Sequence, residues 1–461
     1  MTMALTMEKL TTNYNETIKN GFCKDRSNLH IYSKLNGMRE LNVTVLDSGI
    51  TAKQFLKQKI TRESLSGEKN AFFVADLGVV VHQHWRFLQK MPRVKPFYAV
   101  KCNSTKEVLQ ILALLGCGFD CASKLEIDTI LDMGVPAANI VYANPCKQPS
   151  HIRHAARRGV CRMTFDCESE LVKVAENHPE AEMILRIKAD DSESLCCLSK
   201  KFGASVQSCE DLLEAAKRLN VNVIGVSFHV GTGNKNPHAF DKTISDARKV
   251  IDIGRKLGFK MRLLDIGGGL PGRPDFEPAF EQFAEVIMES LDHYFPCDEG
   301  FEIIAEPGRY YVASAFTEAI NIITKKELKG VNEKDRRRFA YHLNDGVFGS
   351  FLEKYLMPVK LTPIPEKDID RAQPFFSSIL WGPCCAETDE VMNEVDLPEL
   401  EVEDWLIFQN IGAYSICFST HFNGFIPPPV YAVITKDLWQ LLEHQRLRES
   451  FSLLLTNRIT C

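Results

Sequence analysis

Residues 97–101 read FYAVK: four largely apolar residues, then a lysine. A run this short fits a buried strand, and its charged end fits a strand leaving the core. The same texture recurs at FDCAS (119–123), IVYAN (140–144), MTFD (163–166), MILRIK (183–188), VIGVSFHV (223–230), RLLDIGGG (262–269) and EIIAEPG (302–308). Between these runs lie amphipathic stretches such as TKEVLQILALLG and CEDLLEAAKRLN, apolar at spacings of three and four. Strand and helix alternating about eight times predicts an α/β fold with a parallel sheet, closed as a TIM-like (β/α)8 barrel.

Beyond about residue 313 the texture changes. FAYHLND, DWLIFQN and PVYAVIT read as strands separated by turn-rich segments, which predicts a C-terminal β-domain. VTVLDSG and AFFVADLG, ahead of the barrel, either join that domain or cap the barrel. The expected division is a loosely ordered extension over 1–40, a segment at 41–71 contributing to the β-domain, a barrel over 72–312, the β-domain over 313–445 and a short tail over 446–461. The charged stretch KKELKGVNEKDRRR (325–338) reads as a solvated loop.

The bulk numbers agree with two globular domains: 461 residues, 45% hydrophobic and 25% charged. A net charge of −5 leaves no electrostatic footprint for nucleic acid and no basic skirt for a membrane. No apolar run is long enough for a bilayer, and the start is a poor signal peptide, so a cytoplasmic setting is expected. The sequon at Asn15-Glu16-Thr17 then reads as chance. The 15 cysteines are scattered without zinc-site spacing, so no metal is expected and most thiols read as small buried hydrophobes.

In such a barrel, chemistry sits where strands end at the C-terminal face. The exits here carry Lys101, Asp120, Asn144, Asp166, Arg186, His229, Gly267, Gly268, Gly269, Glu306 and Arg309. A lysine ending a buried strand is either an ion-pair partner, with Asp120 the candidate, or a Schiff-base amine. Three glycines after a strand make either a tight turn or a phosphate cradle of backbone N–H groups, to which Arg309 adds a cation. Glu306 suits the acid that faces a pyridine nitrogen in pyridoxal enzymes. His229 reads as a ring-stacking or proton-handling group, against the plain alternative of a satisfied core histidine.

The motifs PFYAVKCN, GFDCASK, YANPCKQ, GVSFHVGTG, LLDIGGGLPG, AEPGRYYV, NDGVFGSF, WGPCC and DWLIFQNIGAY together resemble the eukaryotic ornithine decarboxylase family, barrel-type pyridoxal-phosphate decarboxylases of polyamine metabolism. The similarity runs from about 43 to 440. It implies a barrel followed by a β-domain, in a homodimer with two shared active sites. Lys101 would carry pyridoxal 5'-phosphate as an imine, and His229 would stack on its ring. Glu306 would keep the pyridine nitrogen protonated, with Asp120 and Arg186 near the cofactor. The glycines, Thr232, Arg309 and Tyr414 would hold the phosphate. Asp345, Cys385, Ala386 and Phe422 would form the substrate side, with Asp345 and Cys385 reaching in from the partner subunit. Cys385 would return a proton to Cα after loss of CO2, while Cys384 fills space. Lys201 and Asp389 would form a salt bridge across the dimer.

One departure bears on substrate. In ornithine decarboxylases an aspartate follows this cysteine and helps hold the distal ammonium; here Ala386 stands there. A buried ammonium with half its counter-charge removed is penalised, whereas an uncharged side chain loses nothing. The expectation is therefore a carboxy-lyase for a neutral aliphatic amino acid, valine or leucine, like the branched-chain decarboxylases among these relatives. The alternatives are an ornithine decarboxylase making putrescine, with Asp345, alone or with Glu387, holding the amine, and a catalytically inactive antizyme inhibitor. Such inhibitors typically lose several cofactor contacts, whereas this chain keeps Lys101, Asp120, Arg186, His229, Glu306, Arg309 and Tyr414. The basic segment 139–160 resembles the region through which relatives bind antizyme, and reads as helical after Pro149. The chain lacks the acidic, Pro- and Ser-rich tail that marks vertebrate ornithine decarboxylases for degradation, so slower turnover is expected.

Overall fold

The computed structural model describes residues 41–328, 337–356, 360–370 and 372–444. The extension read over 1–40 and the tail read over 446–461 lie outside these residues. The described chain forms two compact units, one of Val80–Tyr311 and the other of Asn42–Val79 with the residues from Val312 onward.

Two strands come first, β1 (Val43–Leu46) and β2 (Phe72–Asp76). The eight anticipated runs of the barrel follow as β3 (Val94–Ala99), β4 (Gly118–Cys121), β5 (Ile140–Tyr142), β6 (Arg162–Phe165), β7 (Glu182–Arg186), β8 (Asn222–Ser227), β9 (Leu263–Asp265) and β10 (Glu302–Ala305). They pair in parallel in sequence order, and β10 closes on β3 with Ile303 opposite Val94. Phe97, Val141, Ile184, Ile224, Leu263 and Ile304, from six of these strands, pack into one buried cluster, so the barrel is a filled core and not a pore. Gly225 is required where β8 meets β9, because a Cβ there would come 2.2 Å from the Leu263 carbonyl oxygen. The amphipathic stretches form the helices Lys106–Leu114 and Cys209–Arg218, burying Val108, Leu109, Ile111 and Leu112 in the first and Leu213 and Ala216 in the second. Pro149 takes the first turn of the helix Pro149–Arg157, where its missing N–H has no partner to lose.

The second unit is a mixed sheet in the order β1–β17–β2–β11–β12–β14–β15, where β11 is Phe316–Leu328, β12 Arg338–Leu343, β14 Phe375–Trp381, β15 Glu390–Pro398 and β17 Val430–Thr435. A branch is made by β13 (Pro363–Pro365) and β16 (Trp405–Gln409), the latter pairing with β11. The long β11 pairs with β2 and β16 over its first half and with β12 over its second, after an irregularity at Ile322–Thr324. Alternate residues of these strands, Phe72, Val74, Ala319, Trp405 and Ile407, pack with Leu56 and Ile60 of the helix Ala52–Ser66. Thr51 and Gln54 cap that helix reciprocally.

Two readings change. The barrel unit begins at Val80, not at 72, because β2 finds its partners in β11 and β17 of the sheet. Part of the stretch read as a solvated loop is strand: Lys325–Leu328 extends β11, and Lys325 and Arg337 both pair with Glu399, at 2.8 Å each.

Candidate active site

Lys101 leaves β3 in a single turn, Val100–Cys102, and its Nζ lies 2.6 Å from Oδ2 of Asp120 at the end of β4. The lysine side chain is 42% exposed and the aspartate side chain is fully covered, so the amine faces the mouth over a buried acid. Among the described residues Asp120 Oδ1 has no hydrogen-bond partner. Arg186 ends β7 with its guanidinium 5.3 Å from the Phe202 ring centre.

His229 lies just beyond β8 and accepts a hydrogen bond at Nδ1 from the Gly231 N–H, at 3.0 Å. Burial first, then the cations Arg186 and Lys101, hold the imidazole well below the ordinary histidine range. It is therefore neutral, with its proton on Nε2. Thr232 is tied to Cys196 by a pair of backbone hydrogen bonds, each 3.1 Å.

The glycines are pressed between this loop and β10. A Cβ at Gly267 would lie 2.1 Å from the Phe228 carbonyl oxygen, one at Gly268 2.7 Å from that of Glu306, and one at Gly269 2.4 Å from that of Gly231. Gly267 and Gly269 also take positive φ, +64° and +92°. Only glycine fits such a loop, and the bare backbone it leaves is what a phosphate requires.

Glu306 ends β10; its N–H donates to the Gly267 carbonyl at 2.7 Å, and its Oε1 is buried with no partner. Burial, followed by repulsion from Asp265 and Asp120, pushes its carboxyl well above the usual range. Asp265, fully buried at the end of β9, accepts the Gly267 N–H at Oδ1 (2.9 Å) and leaves Oδ2 unsatisfied. Burial drives this carboxyl upward too. Three buried acids thus gather beside one lysine and one arginine, with an oxygen of each acid unanswered. A ligand bringing a proton-bearing heterocyclic nitrogen and a phosphate satisfies both halves of the arrangement. Asp265 was not singled out by sequence, although it breaks the apolar run two residues before the glycines.

Residues 77–313 match the family model described as pyridoxal-dependent decarboxylase, pyridoxal binding domain. The chain belongs to this decarboxylase family. Within it the chain falls in the ornithine decarboxylase and antizyme inhibitor group. It is 49% identical to the ornithine decarboxylase of Mus musculus over 411 residues, covering 88% of this chain and 89% of that protein. It is 50% identical to antizyme inhibitor 2 of Xenopus laevis over 411 residues, covering 88% and 90%. Among solved structures, the arginine decarboxylase of Paramecium bursaria Chlorella virus bound to agmatine aligns with a TM-score of 0.78 at 32% identity, over 83% of this chain and all of that one. Pyridoxal phosphate is the family's cofactor, and the unsatisfied acids and the glycine loop fit it. The α/β barrel with a following β-sheet unit is the expected fold.

The sheet unit holds the remaining candidates. Asp345 follows β12, is buried, and accepts the Gly346 N–H at Oδ1 (2.8 Å). The loop carrying the cysteines is tied to it through Asp389, whose Oδ1 accepts from Val347 N (2.7 Å) and Oδ2 from Cys384 N (2.9 Å). Gly346 and Gly382 permit this, since a Cβ at either would lie within 2.4 Å of Asp389 Oδ1. Asp345, Cys384 and Phe422 line one pocket with Phe348, Phe425 and Ile426. The Phe422 and Phe348 ring centres are 4.7 Å apart. Burial, then Asp389, raises the Cys384 thiol to about 11, whereas Cys385 is exposed and Ala386 half-buried. Tyr414 is half-buried, with a φ of +53°. Glu318 and Ser350, absent from the sequence reading, stand behind Asp345.

Proposed function

We propose that this protein decarboxylates a neutral aliphatic L-amino acid, valine or leucine, to its amine and CO2. The observation that carries the reading is the distal pocket: its two acids, Asp345 and Asp389, already accept backbone N–H groups, phenylalanine, isoleucine and proline make up about half of the lining, and the neighbouring Ala386 brings no charge. Such a pocket rewards apolar burial and offers a second ammonium little compensation for desolvation.

Pyridoxal phosphate, when bound, supplies the electron sink for the bond to the substrate carboxylate. Lys101 Nζ would be the amine that carries it, with Asp120 orienting that amine. Glu306 would be the acid toward the ring nitrogen, with Asp265 holding Gly267 and the loop in place, and neutral His229 would support the ring. Gly267, Gly268, Gly269, Thr232, Arg309 and Tyr414 would hold the phosphate. Cys385 Sγ returns the proton to the substrate Cα. In this reading the protein is a homodimer, with Asp345 and Cys385 supplied by the partner subunit and Lys201 paired with Asp389 across the interface.

The deciding experiment is CO2 release from ornithine, lysine, valine and leucine by purified holoenzyme. Turnover of leucine or valine above ornithine is expected; strong ornithine turnover with none of the others ends the reading. The ornithine alternative is favoured by the retained Asp345 and by the 49% identity to the mouse ornithine decarboxylase. The antizyme-inhibitor alternative is favoured by the 50% identity to the Xenopus protein and opposed by the retained Lys101, Asp120 and Glu306. Antizyme binding through 139–160 is a separate proposal. Part of that segment's basic charge is engaged in-chain, with Lys147 2.9 Å from Glu170 and Arg158 2.7 Å from Asp132.

A further inference from the structure

Behind Asp345 lies a second carboxyl that no part of the mechanism above uses. Glu318 sits on β11 between Phe408 of β16 and Phe73 of β2 and is 0% exposed. Its Oε1 accepts the Ser350 hydroxyl at 3.1 Å. Among the described residues its Oε2 is buried with no donor, and so is Oδ2 of Asp345. Asp345 Oδ1 lies against Gly349, where a Cβ would come 1.7 Å from it, and the adjoining Ser350 holds Glu318, which brings the two carboxyls together. Two carboxylates cannot share a dry site as anions, and neither carries a donor when ionised. A single proton between them removes the repulsion and satisfies both orphaned oxygens.

The proton's position follows from the surroundings. Asp345 has donors that favour its anion, the Gly346 N–H among them, and it reaches the pocket. Glu318 has only the Ser350 hydroxyl and is absent from the pocket lining. Burial, then the charge of Asp345, raises the Glu318 carboxyl, and burial raises that of Asp345 against the donors around it.

We propose that Glu318 is held as a neutral acid that donates its proton to Asp345, and that this bond makes it a positioning residue selecting against a second amine on the substrate. A carboxylate already accepting from a neutral acid and from its own backbone has less charge and fewer open lone pairs for an incoming ammonium. Glu318 thereby opposes diamino substrates from behind the wall, and the uncharged Ala386, two residues from Cys384 of the lining, adds no acid to it. The inference rests on the reading that this pocket receives the substrate side chain.

The test compares holoenzyme of wild type, Glu318→Gln and Glu318→Leu on leucine and ornithine, with kcat and KM separated. Glutamine keeps a neutral donor toward Asp345, so its ornithine-to-leucine ratio of kcat/KM should stay with the wild type. Leucine removes the donor and leaves Asp345 in want of a cation. The ratio should rise about tenfold or more, through the ornithine KM, the size expected for a hydrogen bond to a charged group. An unchanged ratio in the leucine variant, or an equal shift in both variants, overturns the assignment. If Glu318→Leu does not fold, the infrared difference between wild type and Glu318→Gln decides: a carbonyl stretch of a protonated carboxyl, lost in the variant, supports the assignment, and its absence in wild type overturns it. Wild-type preference for ornithine would sink only the substrate reading, because the Glu318 assignment is judged on the change between variants.

Discussion

The pairing of Lys101 with Asp120 answers the ambiguity of a lysine at a strand end. It is an ion pair, at 2.6 Å, and it also points a solvent-accessible amine over a cluster of underserved acids. A purely structural pair would leave Glu306 Oε1 and Asp265 Oδ2 without purpose. Lys101→Ala is expected to remove the visible absorbance of the holoenzyme and to lower kcat by about a thousandfold or more, as for other covalent catalytic groups. Retained colour with full turnover would exclude the imine role. At the substrate end, Ala386→Asp puts an acid two residues from Cys384 of the pocket wall. Ornithine kcat/KM should rise by about tenfold and leucine kcat/KM should fall, since a charge helps one ligand and strands itself against the other. Steady-state kinetics on both substrates reads this directly.

At the scale of the element, the glycine loop after β9 and the helix Leu77–Lys90 each carry a prediction. Gly269 has φ +92° and no room for a Cβ. Gly269→Ala should weaken cofactor binding by about tenfold or more, through strain of the order found for forbidden backbone regions. Titrating apoenzyme with pyridoxal phosphate measures it. His84, on that helix, is buried with Nδ1 2.9 Å from the Tyr311 hydroxyl, and burial lowers its pKa from 6.5 to about 4. The folded state thus binds fewer protons here than the unfolded chain between those values. Stability from this group is complete above pH 6.5 and is lost as pH falls toward 4, by on the order of 3 kcal/mol. Urea midpoints of the barrel transition against pH should show the loss, and His84→Gln should flatten it. Anticipating such effects from sequence is difficult, because HQHW within an amphipathic helix does not say which histidine turns inward.

At the scale of the whole molecule, the homodimer is testable without a structure of it. If Lys101 and Cys385 serve one site from different subunits, inactive Lys101→Ala and Cys385→Ala proteins should regain activity when mixed and re-equilibrated. Random pairing makes half the dimers mixed, each with one native site, so recovery should approach about a quarter of wild type. No recovery from well-folded partners would argue that each site is built within one chain.

The sequence by itself determined the barrel, because each strand is a short apolar run whose end must meet solvent, and these ends carry the lysine, histidine, glycines and glutamate of the cofactor site. Strand-and-turn texture supplied the second unit, and the family motifs the loss of an acid at Ala386. The tertiary structure decided what depends on partners distant in the chain. FFVAD bears no mark of which sheet it joins, and hydrogen bonds to β11 and β17 assign it. Asp265 and Glu318 look like ordinary interruptions of apolar strands. Each becomes meaningful only when another carboxyl, 41 or 27 residues away in sequence, is buried against it. Charge in a dry interior depends on every neighbour that shares it, and neighbourhood is a property of the fold.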